Sequence, residues 1–145
     1  MRLLVQRVSS ARVEVDGQLV GASGAGFLVL AGFASDDTLE KVEFLADKCV
    51  NLRVFEDEAG KMNRSLLDTG GELLVVSQFT LYGDASRGRR PDFTAAARPE
   101  TALPLYEALL AAFRRRGVRT ASGKFGAEMR VTPVNEGPVT ILLEK

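Results

Sequence analysis

Residues 72–84 read ELLVVSQFTLYGD. Leu73–Val76 have the apolar character of a buried strand, which should end in a turn. Polar groups follow at once: Ser77, Gln78, Thr80 and Tyr82, before Gly83-Asp84 breaks the run. If the strand continues, Gln78, Thr80 and Tyr82 share one face and Ser77, Phe79 and Leu81 the other. Spacing alone favours a solvated sheet face. The functional alternative is a pocket wall at the strand end, where ligands often bind in α/β sheets. Hydroxyl and amide groups there could orient a carbonyl or stabilise an oxyanion.

The flanking segments set the fold class. GFLVLAGF (26–33) is a second apolar run of strand length. ARVEVDG (11–17) alternates apolar and polar residues and ends in Asp16-Gly17, a hairpin turn, with residues 2–8 expected as the preceding strand. Asp37 and Glu40 suggest a capping-box start to a helix whose apolar stripe is Leu39, Val42, Leu45, Ala46, Cys49 and Val50. EDEAGKMN (56–63) is a polar turn region. Pro104 fits the first turn of a second helix, which places its start near Thr101. Leu105, Tyr106, Leu109, Ala112 and Phe113 form its buried face, Arg114–Arg116 close it and Gly117 caps it. Final strands are expected at about 118–124, 127–134 and 138–144. The prediction is one mixed α/β domain over residues 1–145, ordered β-β-β-α-β-α-β-β-β, with a mostly antiparallel or mixed sheet or partial barrel and two main helices.

Composition narrows the chemistry. The 145 residues hold 19 basic and 19 acidic side chains, so whole-molecule attraction to nucleic acid is not expected. There is no histidine, which excludes Ser-His-Asp and Cys-His catalysis and His-ligated metals. No cofactor is called for. The single cysteine, Cys49, cannot pair within the chain and reads as a small core residue, with a reactive thiol the minority reading. That usage suits a reducing, cytoplasmic compartment. The opening MRLLVQRVSS is interrupted by Gln6 and Arg7 and is not a signal peptide, and no apolar run approaches a membrane span.

Three further motifs carry two readings each. NEGPVT (135–140) holds Asn135, Gly137 and Pro138, which a plain hairpin between the last two strands explains; a cis Gly-Pro bond would instead present two carbonyls as a rigid acceptor pair. SRGRRPDF (86–93) puts Arg87, Arg89 and Arg90 in a loop, by default a solvated one and otherwise a phosphate contact. In KFGAEMRV (124–131), Phe125, Ala127 and Met129 would share a strand face, as core or as an apolar pocket lining.

Together, MRLLVQRVSSARVEVDG, SQFTLYGD, RGRRPDF, FGAEMRV and the terminal NEGPVT resemble the D-aminoacyl-tRNA deacylases along the whole chain. The resemblance implies hydrolysis of the ester between a D-amino acid and the 3′-terminal adenosine of tRNA, and clearance of mischarged glycine. It implies a homodimer with sites at the subunit interface. Ser77, Gln78 and Thr80 would build the catalytic wall, and Phe79, Phe125, Ala127 and Met129 the pocket around the adenosine or aminoacyl group. Gly137-Pro138, expected cis and flanked by Asn135, would enter the partner's pocket and reject L-amino acids by steric conflict. Thr80 occupies the position assigned a nucleophile's role in the family; with no histidine to activate it, assistance by the ribose 2′-hydroxyl is favoured, with Gln78 and backbone N–H groups stabilising the oxyanion. The competing class is a non-catalytic dimeric RNA-binding module.

Overall fold

The computed structural model describes residues 1–145. Strand β1 (Arg2–Val15) is followed by β2 (Gln18–Ser23), β3 (Gly26–Gly32) and helix α1 (Leu39–Val50). A small hairpin, β4 (Phe55–Glu56) and β5 (Met62–Arg64), and a single-turn helix α2 (Leu66–Thr69) lead to β6 (Glu72–Ser77). Then come a 3₁₀ turn (Phe79–Tyr82), α3 (Pro99–Arg115), β7 (Thr120–Ser122) and β8 (Arg130–Glu144). The main sheet runs β2-β1-β3-β6-β7, with β8 on the other edge of β1. Pairings made by β1 are antiparallel, whereas β3–β6 and β6–β7 are parallel. The expected mixed α/β class and partial barrel are present, with α1 and α3 as the two main helices.

Alternation along β3 and β6 explains why both runs are continuously apolar. Phe27, Val29, Ala31, Leu73 and Val75 enter the large core with α1 and α3, where Phe113 and Leu109 are fully buried. Leu28, Leu74 and Val76 point the other way and meet Val8, Ala11 and Val13 inside the curled sheet. Burying each of the Val, Leu and Phe side chains contributes about 1.5–3 kcal/mol. Cys49 belongs to the large core, and burial pushes its thiol up to about 12 from 9.0, the chemistry of an inert packing residue.

Several local expectations change. Residues 2–8 and 11–15 form one strand. The two C-terminal strands are also one: β8 pairs with β1 from Glu14↔Arg130 to Arg2↔Glu144. NEGPVT is therefore no hairpin. Val8 faces Asn135 and Gln6 faces Thr140, so residues 136–139 bulge out over Arg7 alone. Because β1 is unbroken, both halves of β8 find the same partner and the chain has no reason to reverse. Residues 124–129 form a turn, with Ala127 N–H donating to the Lys124 carbonyl, and β7 is only three residues long.

At α1 the cap is Thr38, whose side chain accepts from Lys41 N–H, and Leu39 is exposed. Asp37 instead binds the Met1 ammonium at 2.6 Å and accepts from Ala34 N–H. Helix α3 starts at Pro99, not Thr101, and Pro104 lies inside it. Pro99 takes the favourable first position, while the bond missing at Pro104 frees a carbonyl on the solvent side. The 56–63 region is a turn as expected, but it joins two short strands.

The β3–β6 pairing depends on Gly26. Its φ is +151°, and a Cβ there would sit 2.0 Å from the Glu72 carbonyl oxygen, which is backbone and cannot swing away. Gly26→Ala should destabilise the fold by more than about 2 kcal/mol in urea denaturation, while Gly88→Ala, with open space around it, should stay within about 0.5 kcal/mol.

Candidate active site

A cavity of about 560 Å³ opens outside the carboxyl ends of β3 and β6, where a parallel sheet leaves strand-end backbone free to face a ligand. Of its 17 lining residues, 12 are hydrophobic, so the binding energy available there comes mainly from apolar contact. Ser77, Gln78 and Phe79 form one wall, and Phe125, Ala127 and Met129 another. Six of the residues singled out from sequence thus meet around one space, although neither group arrives on the strand face expected for it.

The wall bends because β6 ends at Ser77. Gln78 N–H still donates to the Ala31 carbonyl at 2.7 Å, the last rung beside β3, and the chain then tightens into the Phe79–Tyr82 turn. Period-2 alternation therefore does not apply to Gln78, Thr80 and Tyr82. Leu81 N–H donates to the Gln78 carbonyl and Gly83 N–H to that of Thr80. As at any helix start, the Phe79 and Thr80 N–H groups have no acceptor within the turn. Thr80 lies off the cavity lining; its hydroxyl accepts a hydrogen bond from the Gln78 side-chain amide. That partner is a donor, so it does not draw the proton from the hydroxyl as a general base would.

Gly137 and Pro138, in the bulge of β8, and Asn135, paired with Val8 at its edge, lie elsewhere and do not line this cavity. Gly137-Pro138 is cis and exposed. Gly137 has φ +128°, and a Cβ there would come within 2.9 Å of both the Arg7 guanidinium and Val139. Arg7 Nε donates to the Glu136 carbonyl at 3.1 Å, and the same guanidinium donates to the Val54 carbonyl. Asn135 Oδ1 accepts from Val139 N–H at 3.2 Å, and its amide donates to Thr140 Oγ1. The bulge is held from both sides while its tip points to solvent.

A family model described as D-Tyr-tRNA(Tyr) deacylase matches residues 4–144. The chain belongs to this family. It is 58% identical to the D-aminoacyl-tRNA deacylase of Thermus aquaticus, covering 99% of this chain and 95% of that one, and 54% identical to that of Geobacillus sp. (strain WCH70) with the same coverage. A solved structure named c-Myc DNA Unwinding Element Binding Protein superposes with a TM-score of 0.93 at 44% identity, covering 100% of this chain and 99% of the other. A probable eukaryotic D-amino acid tRNA deacylase shares the fold at 21% identity, with a TM-score of 0.86 over 98% of this chain and 97% of that one.

This member of the deacylase family also uses residues that the sequence did not flag. Phe93 lines the cavity and packs edge-on against Phe79, their ring centres 5.2 Å apart. Arg98 and Pro99 bring the start of α3, the positive end of its dipole, to the rim. Tyr106 donates to the Val75 carbonyl at 2.9 Å and its ring stacks tilted on Phe125 at 5.7 Å, tying α3 to both walls. Burial pushes the Tyr106 hydroxyl up to about 12. Arg2 donates to the Leu81 carbonyl at 2.7 Å, pairs with Glu144 at 2.6 Å and lies over the Tyr82 ring at 4.5 Å. An arginine at a strand start reads from sequence as a solvated side chain, and only the fold brings Leu81 to it.

Arg2 is the side-chain brace of the turn that carries Gln78 and Thr80. Arg2→Met should speed amide hydrogen exchange at Leu81 and Gly83 by about tenfold, the loss of roughly 1.4 kcal/mol of charge-assisted bonding. Arg2→Lys should restore part of the protection, and amides of the β1–β8 ladder away from the Arg2–Glu144 end should be unaffected.

Proposed function

We propose that the chain, as a single domain of residues 1–145, hydrolyses the ester joining a D-amino acid to the 3′-terminal adenosine of tRNA, and clears glycine by the same route. Water adds to the ester carbonyl, the bond to the ribose oxygen breaks, and the products are free amino acid and tRNA with its hydroxyl restored. The observation that carries this reading is the apolar cavity walled by Ser77, Gln78 and Phe79, in a chain whose curated relatives are named D-aminoacyl-tRNA deacylases. Phe79, Phe125, Ala127 and Met129 supply surface for an adenine ring or aminoacyl group. The free N–H groups of the turn and the Gln78 amide are suited to the oxyanion. Thr80, hydrogen-bonded to an amide donor, is the less suited nucleophile, and the ribose 2′-hydroxyl is the group we assign to assist attack.

The chain acts as a cytoplasmic homodimer. The Gly137-Pro138 bulge, exposed and remote from its own chain's cavity lining, enters the partner's cavity and leaves no room for the side chain of an L-amino acid. Glycine has no side chain to reject. No helix is long and apolar enough to cross a membrane.

Purified protein should release D-amino acids and glycine from charged tRNA, and L-amino acids at least 100-fold more slowly. Thr80→Ala should keep substantial activity, and a 2′-deoxy terminal adenosine should be a poor substrate. Comparable rates for both enantiomers would refute the steric gate, and normal cleavage of the deoxy ester by a protein that Thr80→Ala inactivates would refute the mechanism. Binding of tRNA without any turnover would favour the non-catalytic RNA-binding module.

Subunit mixing tests the shared site. Gln78→Ala disables the wall and Pro138→Ala the gate. If the gate crosses the interface, a heterodimer of the two has one site with both defects and one with neither. D-selective cleavage should then reappear on mixing folded, exchanging dimers. Its absence would place gate and wall in the same chain.

A further inference from the structure

The segment between Asp84 and Asp92 leaves the rim of the cavity as a closed arm. Asp84 and Asp92 exchange backbone hydrogen bonds at 2.8 Å each, forming a neck. The next residue, Phe93, is itself a cavity wall. Between the two aspartates the chain presents Arg87, Arg89 and Arg90, all exposed, in a protein whose net charge is zero. None of the three forms an ion pair or a side-chain hydrogen bond, whereas Arg2, Arg115, Arg116 and Arg119 carry salt bridges and Arg7, Arg53 and Arg64 bond to carbonyls.

The carboxylates nearest in sequence are already engaged. Asp84 Oδ1 accepts from Ser86 N–H at 2.8 Å, and Asp92 Oδ1 accepts from both the N–H at 2.7 Å and the hydroxyl of Thr94. These bonds hold both carboxyls below the usual carboxylate range. The two carboxylates stay ionised at the neck, committed to its own N–H and hydroxyl groups, and the three guanidinium groups of the arm still outnumber them. Arginine is the side chain best matched to phosphate oxygens, through its planar fork of donors.

We propose that this arm is a phosphate clamp for the single-stranded RNA that leads into the cavity, holding the phosphodiesters just 5′ of the terminal nucleotide. The inference rests on the function proposed above and deepens it. A nucleotide seated against Phe79 and Phe93 must have its 5′ phosphate at the mouth, where the arm is rooted. Each leg of about four residues can extend at most ~13 Å, enough to follow the strand over its last few nucleotides. Arg98 adds a further guanidinium to the cavity lining. The clamp positions the strand and carries no base preference.

The test compares wild type with Arg87→Gln/Arg89→Gln/Arg90→Gln and with the triple lysine variant. Two substrates are used: D-aminoacyl-tRNA, and 3′-(D-aminoacyl)adenosine, which has no phosphate. Equilibrium binding of uncharged tRNA is measured in parallel across salt concentrations. The glutamine variant should bind tRNA roughly tenfold more weakly at low salt. The slope of log affinity against log salt should shrink by up to about 2, since each single-strand phosphate contact contributes about 0.7. KM for D-aminoacyl-tRNA should rise, cleavage of the nucleoside ester should be unchanged, and the lysine variant should retain most of the salt slope. An unchanged slope would return the arm to a solvated surface loop. Equal loss on both substrates would show that it acts through Phe93 on the cavity shape instead, and would also overturn the clamp. If wild type cleaves neither substrate, the proposed function fails, while the tRNA-binding comparison still decides the arm.

Discussion

The parallel pairing of β3 with β6 is the constraint on which the rest depends. It runs from Gly26↔Glu72 to Ala31↔Ser77, and at its far end Gln78 N–H closes on the Ala31 carbonyl. Parallel strands need both faces covered. Here α1 and α3 cover one face and the curled remainder of the sheet covers the other. Because the two strands end together, the backbone beyond Ser77 is free to turn, and the space left outside the strand ends becomes the cavity.

Strand β1 secures both the Phe79–Tyr82 turn and the Gly137-Pro138 bulge. From its start, Arg2 reaches the Leu81 carbonyl and steadies the turn that carries Gln78 and Thr80. Five residues on, Arg7 reaches the Glu136 carbonyl and steadies the Gly137-Pro138 bulge. Both arginines bind backbone carbonyls, so they fix the path of the chain and leave the site's own side chains free. The two regions are distant in sequence and do not share a cavity within one chain, yet they hang from the same strand. Any movement of β1 would be felt by both.

The cavity itself is poor in titratable groups. Among its lining residues only Arg98 is charged, and Tyr106, which braces its walls, keeps its proton to about pH 12. Such a site has little acid–base chemistry of its own to offer near neutrality. It can position an ester, exclude bulk and place N–H dipoles where charge develops, and electrostatic preorganisation of this kind can carry much of a reaction.

The sequence by itself determined the periodic elements. The apolar runs at 26–33 and 73–76, the helical face from Leu105 to Phe113 and the Asp16-Gly17 turn are legible because one residue's burial predicts its neighbours' in a regular repeat. The motif pieces SQFT and NEGPVT were legible as a family resemblance and not as geometry. What tertiary structure decided lies where regular periods stop. The Phe79–Tyr82 turn replaced an extended strand because β6 loses its partner after Ala31. NEGPVT became a bulge and not a hairpin because β1 runs unbroken beneath it, and a partner strand 129 residues away from Glu136 at Arg7 leaves no local trace. Helix α3 accepted Pro104 because the carbonyl it frees faces water. Phe93, Tyr106, Arg2 and Arg7 joined the site for the same reason: their roles are contacts across the fold, and contact between distant segments is written in the packing of the sheet, not in the spacing of residues along the chain.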